Sequence, residues 1–578
     1  MRERILNIIV YAALALIVVS FFYTQVVRYG HYSKLSKNNS IRIIPIEGPR
    51  GNIYDRNGNV LVTNTLCFDV VAIYNEIRDV KRVGRVLGDI LGMTREEALA
   101  AIGKSMKRPF SPVTLAEDIG KEKAILVEEA SVDIEGLSLE TRSRRHYVNG
   151  NSGCHVFGYL TEISEDELEE LSDYGYRMSD LMGRSGIEKQ YNVYLKGTDG
   201  GTQVQVDNRG RQVSVLGMKE PACGRDLQVT LDVNLQAACD KLLGSRRGAI
   251  VVMDPRTGEV LALASHPSFD PNIFVESGTS RERLELIRDR KGRPLSDRAI
   301  SGLYAPGSVF KIVTASAALE RGKVTEFTTF VCPGYYSLGR TRFDCWKEGG
   351  HGPQAVRDAL MNSCNVFFYN AGRKAGVDAI EHYAKSYGFG RVTGIDLPDE
   401  VKGLVPGRSW KRQHRKDAWY EGETLNYAIG QGYLTVTPIQ VAGMMAAVAN
   451  GGSVMRPFIV KKIDGTPVSS AKERRVDVSE SAMKKIREGL FKVINGEGGT
   501  GKRARVEGVE MAGKTGTAQN PQGATHAWFS GFAPYNDPRV CLVVFVEHGG
   551  KGGLEASEIA RGIFQEAKDR GYLSRQGT

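Results

Sequence analysis

Internal repeats and low-complexity tracts are both missing from this 578-residue chain, which excludes a solenoid, a fibrous protein and a largely disordered one. Apolar residues at 41% and charged residues at 25% are ordinary for folded domains, and the length allows two or more, each with its own core. A net charge of +10 raises the question of nucleic acid, yet no element gathers Lys and Arg together with aromatic residues. Basic residues are scattered apart from a cluster at Arg142, Arg144 and Arg145. A solvated basic surface near anionic lipid or an anionic polymer is expected, and nucleic acid is not. Paired Cys-x-x-Cys spacing is absent too, which excludes a zinc finger while leaving eight cysteines to explain.

Charge is absent from Ile5 through Val27. At about 1.5 Å per residue, that run spans a bilayer core of roughly 30 Å. Arg2 and Arg4 favour a cytoplasmic leader of residues 1–4, with residues 5–27 as a transmembrane helix. A cleaved signal peptide is disfavoured, because the run is long and ends in Phe21-Phe-Tyr-Thr-Gln-Val-Val27 rather than in small residues. Everything after about Arg28 is expected outside the cytoplasm, held at the cytoplasmic (inner) membrane by a single pass.

Residues 28–222 read as an elongated mixed pedestal. Extended apolar stretches near Arg42-Ile-Ile-Pro-Ile46 are broken by Gly48-Pro49 and Asn57-Gly58, and polar helical patterns follow at Thr94–Ile102 and Ser164–Leu171. No nucleophile–base pair can be assembled there, so a non-catalytic spacer and docking module is expected. Pro221-Ala-Cys-Gly-Arg225 marks a change of texture. Across residues 223–578, strands are predicted at Leu227–Leu231, Ala249–Met253, Glu259–Leu263, Val509–Gly513, Ala527–Phe532 and Val540–Val546. Helices are predicted at Val233–Leu243 and Glu555–Asp569, with helix-dense sequence between the strand groups. The class is α+β, an antiparallel sheet flanked by helices.

Ser308-Val-Phe-Lys311, Ser363-Cys-Asn365 and Lys514-Thr-Gly516 occur in that order. Each triplet is weak alone; the ordered set, each member in a readable local structure, is specific. Ser308–Leu319 reads as a buried helix, which puts Ser308 and Lys311 on one face. A serine hydroxyl needs a base, and a lysine serves when burial and nearby positive charge lower its pKa. A serine in the first turn also has backbone N–H groups aimed at a developing oxyanion. Ser363 and Asn365, on a loop after Ala355–Met361, would carry a hydroxyl and an amide into the cleft. Lys514 is expected at the end of an apolar strand, offering charge to a carboxylate beside the hydroxyls of Thr515 and Thr517. Gly516, lacking a side chain, would let a substrate backbone lie against that strand.

With these residues the chain resembles the class B penicillin-binding proteins, monofunctional peptidoglycan D,D-transpeptidases, and most of all their cell-elongation type, penicillin-binding protein 2. The resemblance also rests on Arg50-Gly-Asn-Ile-Tyr-Asp-Arg-Asn-Gly58, Gly183-Arg-Ser-Gly-Ile-Glu188, Asp254-Pro-Arg-Thr-Gly258, Pro267-Ser-Phe-Asp-Pro271 and His526-Ala-Trp-Phe-Ser-Gly-Phe-Ala-Pro534. Val309 stands where a hydroxyl residue is usual, and Asp297 where Asn is usual. By this likeness Ser308 is the nucleophile, Lys311 its base, and Ser363 and Asn365 complete the proton relay. Lys514, Thr515 and Thr517 bind the donor carboxylate, and the N–H groups of Ser308 and Thr517 form the oxyanion hole. The likeness further implies a stem peptide ending in D-Ala-D-Ala as donor, an amine on a neighbouring strand as acceptor, and β-lactams as inhibitors acylating the same serine. It implies a SEDS-family glycosyltransferase and elongation-complex membrane proteins as partners, since the stretch before residue 220 has no room for a polymerase domain. A division-type relative shares this chemistry, and a D,D-carboxypeptidase or a β-lactamase is the hydrolytic alternative. No obvious second carboxylate is placed to activate a deacylating water.

Cys332, Cys345, His351 and Cys364 fall within 33 residues between the first two motifs, and three thiolates with an imidazole make a complete tetrahedral zinc set. A structural zinc is expected there and no organic cofactor; a Cys332–Cys345 disulfide with Cys364 buried and free is the other reading.

Overall fold

The computed structural model describes residues 2–105, 112–171, 176–178, 180–207, 212–468, 473–520 and 523–574. The uncharged run forms an α-helix over Arg2–Phe22 that continues as a π-helical turn through Tyr23–Val27. Arg2–Val27 is long and apolar enough to cross a membrane, and none of it is buried against the protein.

The chain divides into two compact units, Met1–Gly51 with Asn64–Arg144 and Lys196–Gly224, and Asn52–Thr63 with Arg145–Leu195 and Arg225–Thr578. The continuous pedestal expected over residues 28–222 is therefore shared between them. Backbone pairing is the reason, since Ile53–Tyr54 runs parallel to Leu227–Val229. Tyr147 exchanges backbone hydrogen bonds with the Asn272 side chain (2.9 and 3.0 Å), and Arg145 pairs with Glu188 at 2.7 Å in the interior. Chain continuity is visible in a sequence; these bonds are not.

The first unit contains a three-stranded antiparallel sheet of Ile41–Ile46, Gly200–Val206 and Gln212–Lys219. A separate small core gathers Val70, Val83, Leu87, Ala98, Ile102 and Val127. Asp79 starts the helix Val80–Leu91 by accepting from the N–H groups of Lys81 and Arg82.

The second unit is built on five antiparallel strands, β1 (Gly248–Met253), β2 (Val260–His266), β3 (Ala512–Ala518), β4 (His526–Ala533) and β5 (Val540–Val546), in the order β2-β1-β5-β4-β3. Its helices include α1 (Val233–Leu243), α2 (Lys311–Glu320), α3 (Val356–Met361), α4 (Asn365–Ala375), α5 (Pro438–Ala449) and α6 (Glu555–Asp569). Ile250, Val252, Phe529 and Val544 pack into one core with Leu235 of α1 and Ile563 of α6. Val251, Met253, Trp528 and Val543 pack into the other with Met444 and Met445 of α5. Both faces are covered, so these strands read as continuous apolar runs rather than alternating ones. All twelve residues of α5 are buried, and Thr437 with Gln440 closes a capping box at its start. The α+β class with a helix-flanked antiparallel sheet is what the sequence predicts; β3 lies at one edge of the sheet.

Candidate active site

Ser308 sits in a 3₁₀ turn, Gly307–Phe310, that runs directly into α2. That turn is packed too closely for side chains on its neighbours. Gly307 has φ +54°, and a Cβ there would lie 2.5 Å from the Thr517 carbonyl oxygen. A Cβ on Gly430 would lie 2.1 Å from the Gly307 oxygen, and the Gly307 N–H donates to Gly430 O at 3.0 Å. The indole N–H of Trp528, on β4, donates to Ala305 O at 3.0 Å and ties the approach to the turn to the sheet.

Lys311 is completely buried. Its Nζ donates to Ser363 O (2.8 Å), Ser363 Oγ (3.3 Å) and Asn365 Oδ1 (2.7 Å). Lys514 is equally buried, and its Nζ donates to Ser363 Oγ (3.0 Å) and Thr515 O (2.9 Å). Two ammonium groups thus converge on one hydroxyl, and no carboxylate is among these partners. Burial pushes Lys311 down to about 8, and burial followed by the Lys311 charge holds Lys514 well below the usual lysine range. A buried pair of like cations favours the state in which one has shed its proton, which creates a base near neutral pH.

Ser363 is not on a plain loop. It has φ +50°, a left-handed conformation, and it ends α3 where glycine is the usual residue. The N–H groups of Ser363 and Cys364 donate to Leu360 O (3.2 Å) and Ala359 O (3.0 Å), the paired bonds of a Schellman end. Cys364 then starts α4, its Sγ accepting from Phe367 N at 3.5 Å. Asn365 is anchored by its Nδ2 to Asp344 O (3.2 Å). Trp346, which the sequence reading missed, donates its indole N–H to Asn362 O (3.0 Å) and Ser363 O (3.2 Å). Its place beside Cys345 was the only cue.

Lys514-Thr-Gly516 lies in the middle of β3, not at the end of a strand, because pairing with β4 carries the run from Ala512 through Ala518. A Cβ at Gly516 would lie 2.9 Å from both Val309 Cγ2 and Trp528 Cβ and 3.0 Å from Pro306 O, so Gly516 admits the Ser308 turn. The Lys514 amine is directed to Ser363 Oγ. Thr515 is buried and donates to Thr500 Oγ1 (3.0 Å), whereas Thr517 is exposed and its Oγ1 accepts from Gly552 N at 3.3 Å.

Cys332, Cys345, His351 and Cys364 each bring one donor atom into a group in which all lie within 4.8 Å of one another. The Cys332 and Cys345 sulfurs are 3.6 and 3.5 Å from His351 Nδ1. All three cysteines are free, so no Cys332–Cys345 disulfide is formed. A hydrogen bond from Cys364 holds the Cys345 thiol well below its ordinary range, and that bond with burial drives Cys364 up. Three cysteine sulfurs and an imidazole fit a tetrahedral soft-metal site.

The family description "Penicillin binding protein transpeptidase domain" matches residues 248–565, more than half the chain. The chain belongs to the penicillin-binding protein transpeptidases. A second description, "Penicillin-binding Protein dimerisation domain", matches residues 45–229. Among members of the family, the peptidoglycan D,D-transpeptidase MrdA of Acinetobacter baumannii is 34% identical, over 97% of this chain and 87% of that one. Penicillin-binding protein 2 of Helicobacter pylori, solved in complex with MreC, superposes with a TM-score of 0.80 at 29% identity, over 92% of this chain and all (100%) of that one. A chain in a structure titled as the coordination of polymerization and crosslinking by a peptidoglycan synthase complex gives 0.77 at 33% identity, covering 100% of this chain and 99% of that one.

Proposed function

We propose that this protein cross-links peptidoglycan stem peptides through an acyl-enzyme on Ser308, as an elongation-type D,D-transpeptidase. The observation that carries the reading is the convergence of Lys311, three residues after Ser308 at the start of α2, and Lys514 on Ser363 Oγ at 3.3 and 3.0 Å. Ser308 Oγ attacks the carbonyl of the penultimate D-Ala and its proton passes to the neutral amine of Lys311. The carbonyl–nitrogen bond breaks, and that proton leaves with the D-Ala amine by way of Ser363. An acceptor amine from a neighbouring strand then attacks the ester, its proton returns through the same groups, and Ser308 is regenerated. A β-lactam enters the first half of this cycle, and its ring, still attached, obstructs the second.

Arg2–Val27 would anchor the protein in the inner membrane with the N-terminus in the cytoplasm and the transpeptidase domain outside. The likeness to a chain in a peptidoglycan synthase complex supports a SEDS-family glycosyltransferase as the polymerising partner. Cys332, Cys345, His351 and Cys364 would hold a structural zinc with no open position, which when bound supplies charge neutralisation and rigidity rather than chemistry. Its consequence for the site follows from Cys364, which separates Ser363 from Asn365.

Fluorescent penicillin tests the reading. Stable labelling of the wild-type protein is expected. Rapid loss of label would make the protein a hydrolase, and no labelling would overturn the assignment altogether.

A further inference from the structure

A groove of about 280 Å³ in the second unit has walls that include Val392, Val454 and Pro457 and is rimmed by Arg391, Arg456 and Arg474. Two glycines border the guanidinium groups. Gly388 (φ +102°) and Gly394 (φ +81°) would place a Cβ 3.5 Å from Arg474 Nη2 and from Arg456 Nε. Arg391 Nη2 and Arg474 Nη1 both donate to the single carbonyl of Lys385, at 2.7 and 3.4 Å, and Arg456 Nε donates to Gly394 O. Every one of these acceptors is a neutral carbonyl. Among the described residues, none of the three arginines forms an ion pair. The neighbouring carboxylates are otherwise engaged, Glu400 accepting from the backbone of Thr393 and Gly394 (2.6 and 2.9 Å) and Asp477 lying 3.1 Å from His382. Burial and the Arg391 charge, outweighing the attraction of Asp477, hold Arg474 below the usual guanidinium range. Gln440, on the fully buried α5, fixes the loop by donating to Arg391 O at 2.7 Å. Like charges gathered without a direct ion pair are relieved by an anion that pairs with them, and guanidinium forks match a planar carboxylate. Apolar walls add room for short alkyl groups, which a bare inorganic ion would leave unfilled.

We propose that this groove is a second binding site, separate from the Ser308 cleft, for a carboxylate borne on a short apolar chain, the chemistry of a peptidyl-alanine C-terminus. Full-length protein is first acylated with penicillin, verified by intact mass, so that the cleft is blocked. It is then titrated with N-acetyl-D-alanine in a calorimeter, with acetate and inorganic phosphate as comparison probes. Saturable one-site binding of N-acetyl-D-alanine, tighter than either comparison probe, is expected. R391Q/R474Q should weaken it roughly tenfold or more and R456Q severalfold, as lost charge-assisted bonds would, with the rate of penicillin acylation unchanged. Absence of saturable binding, unchanged affinity in R391Q/R474Q variants that still acylate normally, or phosphate binding as tight as N-acetyl-D-alanine would each overturn the proposal.

Discussion

Ser308 and Lys514 are placed by continuous backbone. The Ser308 turn is the start of α2, Lys514 is mid-strand in β3, and the two are brought together by glycines at 307, 430 and 516. Ser363 and Asn365 are placed by side chains. They occupy a junction between α3 and α4 whose left-handed residue is not glycine, held by Lys311, Trp346 and a cysteine–histidine cluster. One side of the cleft therefore depends on regular hydrogen bonding and close packing, which single substitutions at the reacting groups leave intact. The other depends on a few polar and thiol contacts, which single substitutions remove. The comparison predicts clean chemical losses on the first side and coupled losses of geometry on the second.

The largest effect is expected at Ser308. Ser308→Ala should abolish penicillin labelling, read by intact mass, while the melting temperature stays near that of the wild type, because the turn is set by its neighbours. An Ala variant that still became acylated would remove Ser308 from the mechanism. Lys311→Arg comes next. It keeps a cation in the cavity but one that does not give up its proton, so acylation should fall roughly 10²–10⁴-fold, the range for a lost general base. Near-normal acylation would mean that Lys311 acts as a charge and not as a base.

Much of this contrast was legible in the sequence and part of it was not. Motif order and helical spacing located Ser308, Lys311, Ser363 and Lys514, and the apolar runs located β1, β5 and α6, because local pattern decides those elements. The apolar run alone puts Lys514-Thr-Gly516 at a strand end, whereas pairing with β4 carries the strand through these residues. The roles of Gly516 and Thr515 depend on Val309, Trp528 and Thr500, which are distant in the chain. Ser363 looked like part of an ordinary loop, since nothing in Asn362-Ser-Cys364 announces a helix end without glycine. The division of the pedestal between two units rests on a parallel pairing of Ile53–Tyr54 with Leu227–Val229, a contact no local signal encodes.

Cys345→Ser tests the side held by side chains. Removing one of four grouped donors should lower zinc content and slow acylation together, by roughly 10- to 100-fold, with Ser308 still present. Elemental analysis and stopped-flow acylation on protein purified without chelator measure both. Wild-type protein devoid of zinc would defeat the metal assignment. A loss of zinc with unchanged acylation would separate the cluster from the Ser363 junction.

The smallest effect is expected on the backbone-held side, at Asp297. Asp297 precedes Arg298, which pairs with Glu547 at 2.9 Å, and Tyr304 O–H donates to the same carboxylate at 2.7 Å on the way to the Ser308 turn. Its Oδ1 accepts from Ala299 N at 2.8 Å, but Oδ2 is enclosed with no partner among the described residues. Burial pushes the carboxyl up to about 6, against those backbone N–H groups, from an ordinary value of 3.8. An acid whose folded pKa is raised binds more protons folded than unfolded between about 4 and 6, so stability falls as pH rises through that window and stays reduced above it. Asn has no charge to lose. Asp297→Asn should therefore stabilise the protein at pH 7.5, by up to about 2–3 kcal/mol at 1.36 kcal/mol per pKa unit, and the gain should shrink as pH falls below 6. Acylation should not change, because Asp297 touches none of the converging groups around Ser363. Thermal melts of both proteins at several values between pH 5 and 8 measure the difference. A stability gain independent of pH would show that Asp297 acts through its shape and not through its charge.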